Sequence, residues 1–390
     1  MPVMWMASAL AVAPLQFPSA PKTPSCAPVV VEIGLTGDTM VHGMQLKSAL
    51  QDNGSYSMDG WFDAIAAITA RPDVMLANLE TNIAGEDLGY SGYPRFNSPP
   101  SVLEELREVG VDHLQTANNH CLDRGIRGGL RTLEAVEAHG FSHSGTFASA
   151  EARNLPWAML TLPGELRVAV LGYTYGTEAP PPEETWRVAY YDQQTVELDI
   201  HRARQAGADL VIVGVHWGRE YQPKPEPFQV DLAKHWIEAG ADIVWGHHPH
   251  VIQPAEVHTV DGRDGLILYS MGNFISNQRD FPKYGGMIAT VQISSCPADR
   301  WLSDVRFRPT WVDDRDDDRR LRFKVHPVPD SPVKCVGDGL SAEDCELMLG
   351  YRRHAAALFP ETQFGELPET PASPIADVKA WPFRFEYFDK

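Results

Sequence analysis

Five apolar runs along this 390-residue chain end in the same way. Residues 29–35 lead into Thr36-Gly37-Asp38-Thr39-Met40-Val41-His42, and residues 73–77 into Asn78-Leu79-Glu80. Residues 111–117 lead into Asn118-Asn119-His120-Cys121-Leu122-Asp123, residues 209–215 into His216-Trp217-Gly218-Arg219-Glu220, and residues 241–245 into Gly246-His247-His248-Pro249-His250. Apolar, often β-branched segments of this length read as buried strands. Each delivers Asp, Glu, Asn or His just past its C-terminal end. Helical patterns lie between several of them. Residues 99–109 follow a Ser98 cap and open on proline, and 128–138 close at His139-Gly140. Residues 193–205 and 228–238 are each followed by Ala-Gly. Strand, polar turn, helix, strand predicts an α/β fold with largely parallel strands. Ligands in such folds bind beyond the carboxyl ends of the strands.

The last turn holds three histidines within residues 247–250. Neutral imidazole is the commonest ligand for Zn, Mn, Fe and Ni. On a turn beyond a strand, several rings can converge on one metal pair. Carboxylates supply charge there, while imidazoles and an Asn carbonyl complete the shells and leave positions for water and substrate. Two cations about 3.5–4 Å apart hold both oxygens of an in-line displacement and lower the pKa of bound water to about 7. The set reads as a two-metal hydrolase site.

Six pieces fall in order across residues 30–293: Gly37-Asp38-Thr39-Met40, Ala77-Asn78-Leu79-Glu80, Thr116-Ala117-Asn118-Asn119-His120, Gly214-Val215-His216-Trp217-Gly218-Arg219-Glu220-Tyr221, Gly246-His247-His248-Pro249-His250-Val251 and Ser270-Met271-Gly272-Asn273-Phe274. The ordered set resembles the bacterial capsule-synthesis CapA (poly-γ-glutamate biosynthesis) family, a branch of the calcineurin-like metallophosphoesterases. That resemblance implies an α/β fold, a four-layer αββα sandwich of the metallo-dependent phosphatase type with a small C-terminal extension. It implies two divalent metal ions, with Mn, Zn, Fe and Mg all open. Asp38 and His250 would bind the first, Glu80 would bridge, and Asn119, His216 and His248 would bind the second. His120 matches the general acid, and His247 would support the ligands from behind. The superfamily's Asp-x-His pattern has Met40 in the histidine's place. His42 would substitute as a ligand if residues 38–42 formed a helical turn, because side chains four apart share a face.

The implied activity is hydrolysis of a phosphoester or an amide by metal-bound hydroxide, with His120 protonating the leaving group, in capsule, poly-γ-glutamate or other cell-envelope polymer metabolism. The alternative is a non-catalytic polymer-binding or assembly component, which the weak ligand Met40 favours. Three more residues are substrate-binding candidates, each with a plainer reading. Arg95 reaches an anionic substrate or lies idle in a loop. Arg219 clamps a carboxylate or phosphate, or pairs with Glu220 or Asp242. Asn273 orients a ligand, or only tolerates a left-handed turn. Trp217 and Tyr221 line a pocket or pack the turn, and Asp123 caps its loop.

A net charge of −19 argues against nucleic acid as a partner. It also requires local positive charge if the substrate is an anionic polymer or anionic small molecule, and bound metals would supply it. The remaining partner class is a membrane-associated polymer synthesis complex. Of five cysteines, Cys335 and Cys345 bracket a polar loop and could pair in an oxidising compartment. Cys121 reads as a free packing residue, and Cys26 and Cys296 are unassigned. Residues 1–12 resemble the apolar part of a signal peptide but lack its basic start. The resemblance points to a secreted or cell-envelope protein, with the cytoplasm left open. The expected division is 1–28 leader and spacer, 29–295 metallophosphatase-like domain, and 296–390 extension. The extension reads as a hairpin (305–309 with 321–325), a helix over 341–358 and a Pro-rich tail.

Overall fold

The apolar runs become strands because both of their faces are covered. A computed structural model describes residues 12–296, 299–315, 321–331 and 340–365. In chain order it runs β1 (Val29–Thr39), α1 (Gly43–Ala49), α2 (Ala66–Thr69), β2 (Val74–Leu79), α3 (Ser101–Glu108), β3 (His113–Gln115), α4 (Gly125–Ala138), β4 (Ser142–Ser144), α5 (Ala150–Arg153), β5 (Trp157–Leu162) and β6 (Leu166–Thr174). It continues with α6 (Gln193–Gln205), β7 (Leu210–His216), α7 (Pro227–Glu238), β8 (Ile243–His247), β9 (Ala255–Val260), β10 (Arg263–Leu268), β11 (Asn273–Ile275), β12 (Met287–Cys296), β13 (Asp299–Arg315), β14 (Leu321–Pro327) and α8 (Ala342–Ala356).

Two sheets stack face to face. The first has the order β14-β13-β12-β1-β2-β3-β4, with β11 beside β1. The second has the order β5-β6-β7-β8-β10-β9. Val31, Ile33 and Leu35 of β1 meet Val170 of β6, Ile212 of β7 and Trp245 of β8 between the sheets. The alternate side chains face outward, as the strand period of two requires. Met75 and Ala77 of β2 pack under Val102 and Leu106 of α3 and Val136 of α4. Val211 and Val213 of β7 pack under Ile200 of α6 and Trp236 of α7. Helix, sheet, sheet, helix is the expected four-layer αββα order.

Three departures from the sequence reading, and one pairing it left open, arise where segments distant in the chain meet. In the first sheet β1 to β4 are parallel out to one edge, and β12, β13 and β14 continue from the other side of β1 antiparallel; in the second, β6, β7, β8 and β10 are parallel. β5 and β9 close the second sheet antiparallel. β13 and β14 form the expected antiparallel pair, but residues 310–315 face 321–327 while 305–309 pair with β12; α8 is the expected helix, capped by Ser341, and it sends Met348, Tyr351 and Ala355 into the core between the sheets. Ser98 does not cap α3; its hydroxyl lies 2.7 Å from that of Thr81, and the helix starts at Ser101 behind Pro100. Cys26 and Cys296 form a disulfide, which fixes the entry of β1 to the end of β12. Cys345 is also disulfide-bonded; Cys335, its expected partner, lies outside the described residues, as do the extreme N-terminal segment and the Pro-rich tail. Cys121 is free and buried. Among the described residues, no helix is long and apolar enough to cross a membrane.

Candidate metal centre

Strand ends from both sheets meet at one edge of the sandwich. Asp38 sits near the end of β1, Glu80 just past β2, Asn119 and His120 past β3, His216 at the end of β7 and His247 at the end of β8. Gly246 lets β8 pass close to its neighbours: a Cβ there would stand 2.0 Å from the Tyr269 carbonyl oxygen. Just beyond it, His248 and His250 adopt left-handed backbone angles, with φ of 93° and 56°, and Tyr221 does the same at 65°. Non-glycine residues rarely take this conformation, and strain of this kind clusters at functional sites. The Tyr221 N–H donates to the Pro249 carbonyl at 2.7 Å and holds the turn.

Asp38 is the hub. Its Oδ1 accepts from Asn78 Nδ2 at 2.7 Å, and His247 Nδ1 lies 3.6 Å away. Its Oδ2 lies 3.0 Å from His250 Nδ1 and accepts from the His248 N–H at 3.3 Å. Glu80 stands beside it, with Oε1 3.5 Å from His216 Nε2 and 3.7 Å from His250 Nε2. His216 Nε2 is 2.9 Å from Asn119 Oδ1. The His248 ring packs 4.7 Å from that of His216 and 4.8 Å from that of Tyr175. Three donor sets have ligand atoms mutually within 4.8 Å: Glu80–His216–His248, Asp38–Glu80–His250 and Glu220–His248–His250. Glu80 belongs to two of them.

The electrostatics fit a cation. Glu80 is fully buried, and neither carboxylate oxygen has a hydrogen bond. A buried unpaired carboxylate is strongly disfavoured. Burial, with Asp38 adding repulsion, pushes the Glu80 pKa well above the usual carboxylate range. Burial would raise Asp38 too, but the His250 hydrogen bond and the charges of His250, His247 and His216 hold it well below. Burial pushes His216 and His247 down to about 3, and His248 well below its usual value, so these rings are in the neutral form that ligates. Both ring nitrogens of His247 and Nδ1 of His248 lack hydrogen bonds. Burial also acts to lower His250, but the charge of Glu80 and the hydrogen bond to Asp38 outweigh it and lift His250 to about 9. The His250 ring lies between the two carboxylates, with Nδ1 3.0 Å from Asp38 Oδ2 and Nε2 3.7 Å from Glu80 Oε1.

His120 borders this cluster. Its Nδ1 is 2.8 Å from Asp123 Oδ2, and its ring packs edge-on to Phe96. Burial acts to lower its pKa, but the hydrogen bond to Asp123 and the charge of Glu80 raise it overall. Asp123 also accepts the Phe96 N–H at 2.7 Å, so it secures the loop as well as the ring.

Of the sequence candidates, Asp38, Glu80, Asn119, His216, His248 and His250 are brought together with His120 alongside. His42 lies outside the three donor sets. The helical turn on which its candidacy depends does not form, because Asp38 and Thr39 close β1 and α1 starts only at Gly43. His42 Nδ1 instead accepts the Asn277 N–H at 3.2 Å. Arg219 pairs with Glu226 at 3.2 Å, not with Glu220 or Asp242; Asp242 bonds Arg204 and Arg263. Asn273 brackets His250: its Oδ1 is 3.1 Å from Nδ1, and its Nδ2 donates to the His250 carbonyl at 3.3 Å. The left-handed residue in that turn is Gly272. Arg95 is exposed on the loop before α3. Trp217 is buried, donates to the Tyr269 carbonyl at 3.0 Å and stacks on Trp236. Three site residues escape the sequence reading. Asn78 and Glu220 stand in the quoted motifs, where their positions at strand ends are the available signal. Tyr175 follows β6, which lies outside the five apolar runs, so it carries no signal.

The model for the family described as "Bacterial capsule synthesis protein PGA_cap" matches residues 32–278. The chain is 31% identical over 254 residues to the capsule biosynthesis protein CapA of Bacillus anthracis, covering 63% of this chain and 59% of that one. It is 28% identical over 263 residues to the PGA biosynthesis protein CapA of Bacillus subtilis, covering 66% of each. The match therefore spans less than two thirds of the length of either relative. Among solved structures, a calcineurin-like phosphoesterase from Bacillus subtilis aligns with a TM-score of 0.42 at 14% identity, over 85% of this chain and 98% of that one.

Proposed function

The chain belongs to the bacterial capsule synthesis PGA_cap family, and from that premise we propose that it is a divalent-metal-dependent hydrolase of a cell-envelope polymer or its precursors, cutting a phosphoester or an amide such as a γ-glutamyl bond. The observation that carries this reading is Glu80: a fully buried carboxylate with no hydrogen bond, flanked by Asp38, His216 and His250. Two cations sharing Glu80 are the reading that uses both donor sets to which Glu80 belongs. Asp38, His250 and Glu80 would hold one, and Glu80, His216, His248 and Asn119 the other. Divalent cations in these sets would supply Lewis acidity and lower the pKa of a water.

The rest of the chemistry belongs to the chain's own side chains. Asp38 and Glu80 offset cationic charge. Asn78 and Asn273 hold Asp38 and His250 in place. His120 engages Asp123 through Nδ1, which leaves Nε2 to give its proton to the departing atom. An extracytoplasmic location is part of the proposal, and the Cys26–Cys296 disulfide supports it, because such bridges persist in oxidising compartments. The proposal is tested by elemental analysis of the purified chain, followed by hydrolysis assays on a generic phosphodiester and a γ-glutamyl amide with added Mn. Stoichiometric metal and turnover lost in His120→Ala are expected. Bound metal with no turnover of either substrate would leave the assembly role standing, and activity indifferent to His120→Ala and His248→Ala would end the enzymatic reading.

A further inference from the structure

The two donor sets built on Glu80 do not serve their cations equally. Glu80, His216, His248 and Asn119 offer four side chains, whereas Asp38, Glu80 and His250 offer three. Met40, two residues past Asp38, adds only a thioether, a soft donor ill matched to hard cations. Divalent cations of this kind take four ligands or more. The third donor set, Glu220 with His248 and His250, is left over, and its ligand atoms also lie within 4.8 Å of one another. Its two histidines are the buried ones already in the cluster, and Glu220 is exposed. The Glu220 carboxylate therefore reaches the cluster from its solvent side.

The backbone holds it there. β7 ends at His216, and residues 217–221 run back along the turn that follows β8. The Trp217 N–H donates to the His247 carbonyl at 3.1 Å, and the Tyr221 N–H to the Pro249 carbonyl at 2.7 Å. Gly218 is left-handed, with φ of 83°, and a Cβ there would stand 2.7 Å from Gln229 Oε1. Tyr221 is left-handed as well, at 65°, a conformation that a tyrosine keeps only where its surroundings impose it. Those surroundings are Lys283, with Nζ 4.3 Å from the centre of the ring, and Gln278, whose Nε2 donates to the hydroxyl at 3.4 Å. Burial and a hydrogen bond to the Glu220 carboxylate raise the Tyr221 phenol, so the constrained tyrosine also steers its neighbour. No described cationic side chain claims Glu220: Arg219, next to it in the chain, pairs with Glu226. Across from it, Nδ1 of the buried His248 has no hydrogen bond, and a buried ring nitrogen calls for a partner.

We propose that Glu220 is itself a metal ligand, giving the cation of Asp38 and His250 its missing donor from the solvent side, so that three carboxylates rather than two close the centre. The inference rests on the two-cation reading above, but not on turnover of any substrate.

The probe is Co(II), whose visible absorption reports how many ligands surround it, titrated into the full chain after chelation of other metals. The parent should fill both sites. Glu220→Gln, a change at an exposed position, should keep the circular dichroism of the parent, weaken one site by about tenfold or more and alter the visible spectrum of that site. Loss of a group that merely orients a ligand already costs that much. The other site should be unaffected. Glu226→Gln, which removes a charge from the same loop outside the donor sets, should bind Co(II) as the parent does. In 1 M salt, where exposed charges are screened beyond about 3 Å, the deficit of Glu220→Gln should persist. An unchanged affinity and spectrum in Glu220→Gln, or a deficit that vanishes in salt, would overturn the inference and leave the two-cation reading standing. Three cations in the parent, falling to two in Glu220→Gln, would give Glu220 a cation of its own and overturn it equally. A parent chain that takes up no Co(II) would end both this inference and the metal reading beneath it.

Discussion

Asp38 Oδ2 and His250 Nδ1 lie 3.0 Å apart although 212 residues separate them in the chain. The contact joins the end of β1 in one sheet to the turn after β8 in the other. The opposite edge of the same ring, Nε2, lies 3.7 Å from Glu80. One imidazole therefore spans both buried carboxylates, and the cluster depends on the two sheets being stacked in register.

Metal loading should release protons, because Glu80 is held above its usual pKa by burial and His250 is held up at about 9. Glu80→Gln should bind Mn more than about tenfold more weakly and release fewer protons. Calorimetric titration in buffers of different ionisation enthalpy measures both. Proton release unchanged by the substitution would show that Glu80 is not a ligand.

Asn273→Ala should leave the fold intact and weaken metal binding by about 10–100-fold, because the ring of His250 loses the amide that orients it. Competition with a chelator measures the affinity, and circular dichroism checks the fold.

Asp123→Asn should lower the pKa of His120, which Asp123 helps to raise. If His120 acts as an acid, the alkaline limb of the kcat profile then moves to lower pH. His120→Ala should cost about 10²–10⁴-fold in kcat and abolish that limb. A limb that stays in place in both variants would remove His120 from the proton-transfer role.

Glu105 of α3 lies far from this chemistry but should make stability depend on pH. Burial, with Glu108 nearby, raises its pKa to about 8, against the Gly60 N–H that its Oε1 accepts at 3.2 Å. A carboxyl whose pKa rises on folding contributes its full stability below the unfolded value and loses it as pH climbs through the folded value. The chain should therefore weaken between about pH 5 and about pH 9. Glu105→Gln should remove on the order of 2 kcal/mol of that loss. Urea midpoints at the two pH values decide it.

Cys26→Ser should lower stability by about 2–4 kcal/mol, since the bridge to Cys296 constrains the unfolded chain. Thermal unfolding of the two proteins under non-reducing conditions reads the difference. Equal transitions would mean that the strand pairing of β1 with β12 holds this edge unaided.

Much of the site is legible in the sequence because its residues announce themselves locally. Asp38, Glu80, Asn119, His216 and His248 each follow an apolar run, and that placement needs only the strand period and the polarity of the next turn. α6 begins and ends where its pattern does, at Gln193 and Gln205. The misreadings concern residues whose role depends on a distant partner. His42 needs a helical turn that the extension of β1 forbids. Arg219 finds Glu226 across its own loop, and Ser98 finds Thr81 rather than the helix after it.

Polarity and residue spacing act over a few neighbouring residues. They suffice to say which segments are buried, which face of each points inward, and which chemical groups stand at the strand ends. Long-range packing settles the rest: Glu80 is left without a hydrogen bond, Asn273 grips His250, Cys26 meets Cys296, and β12 to β14 join the first sheet antiparallel. These are pairings across tens to hundreds of residues. They are selected by how two sheets and their helices fit together, a choice that no short stretch of chain encodes alone.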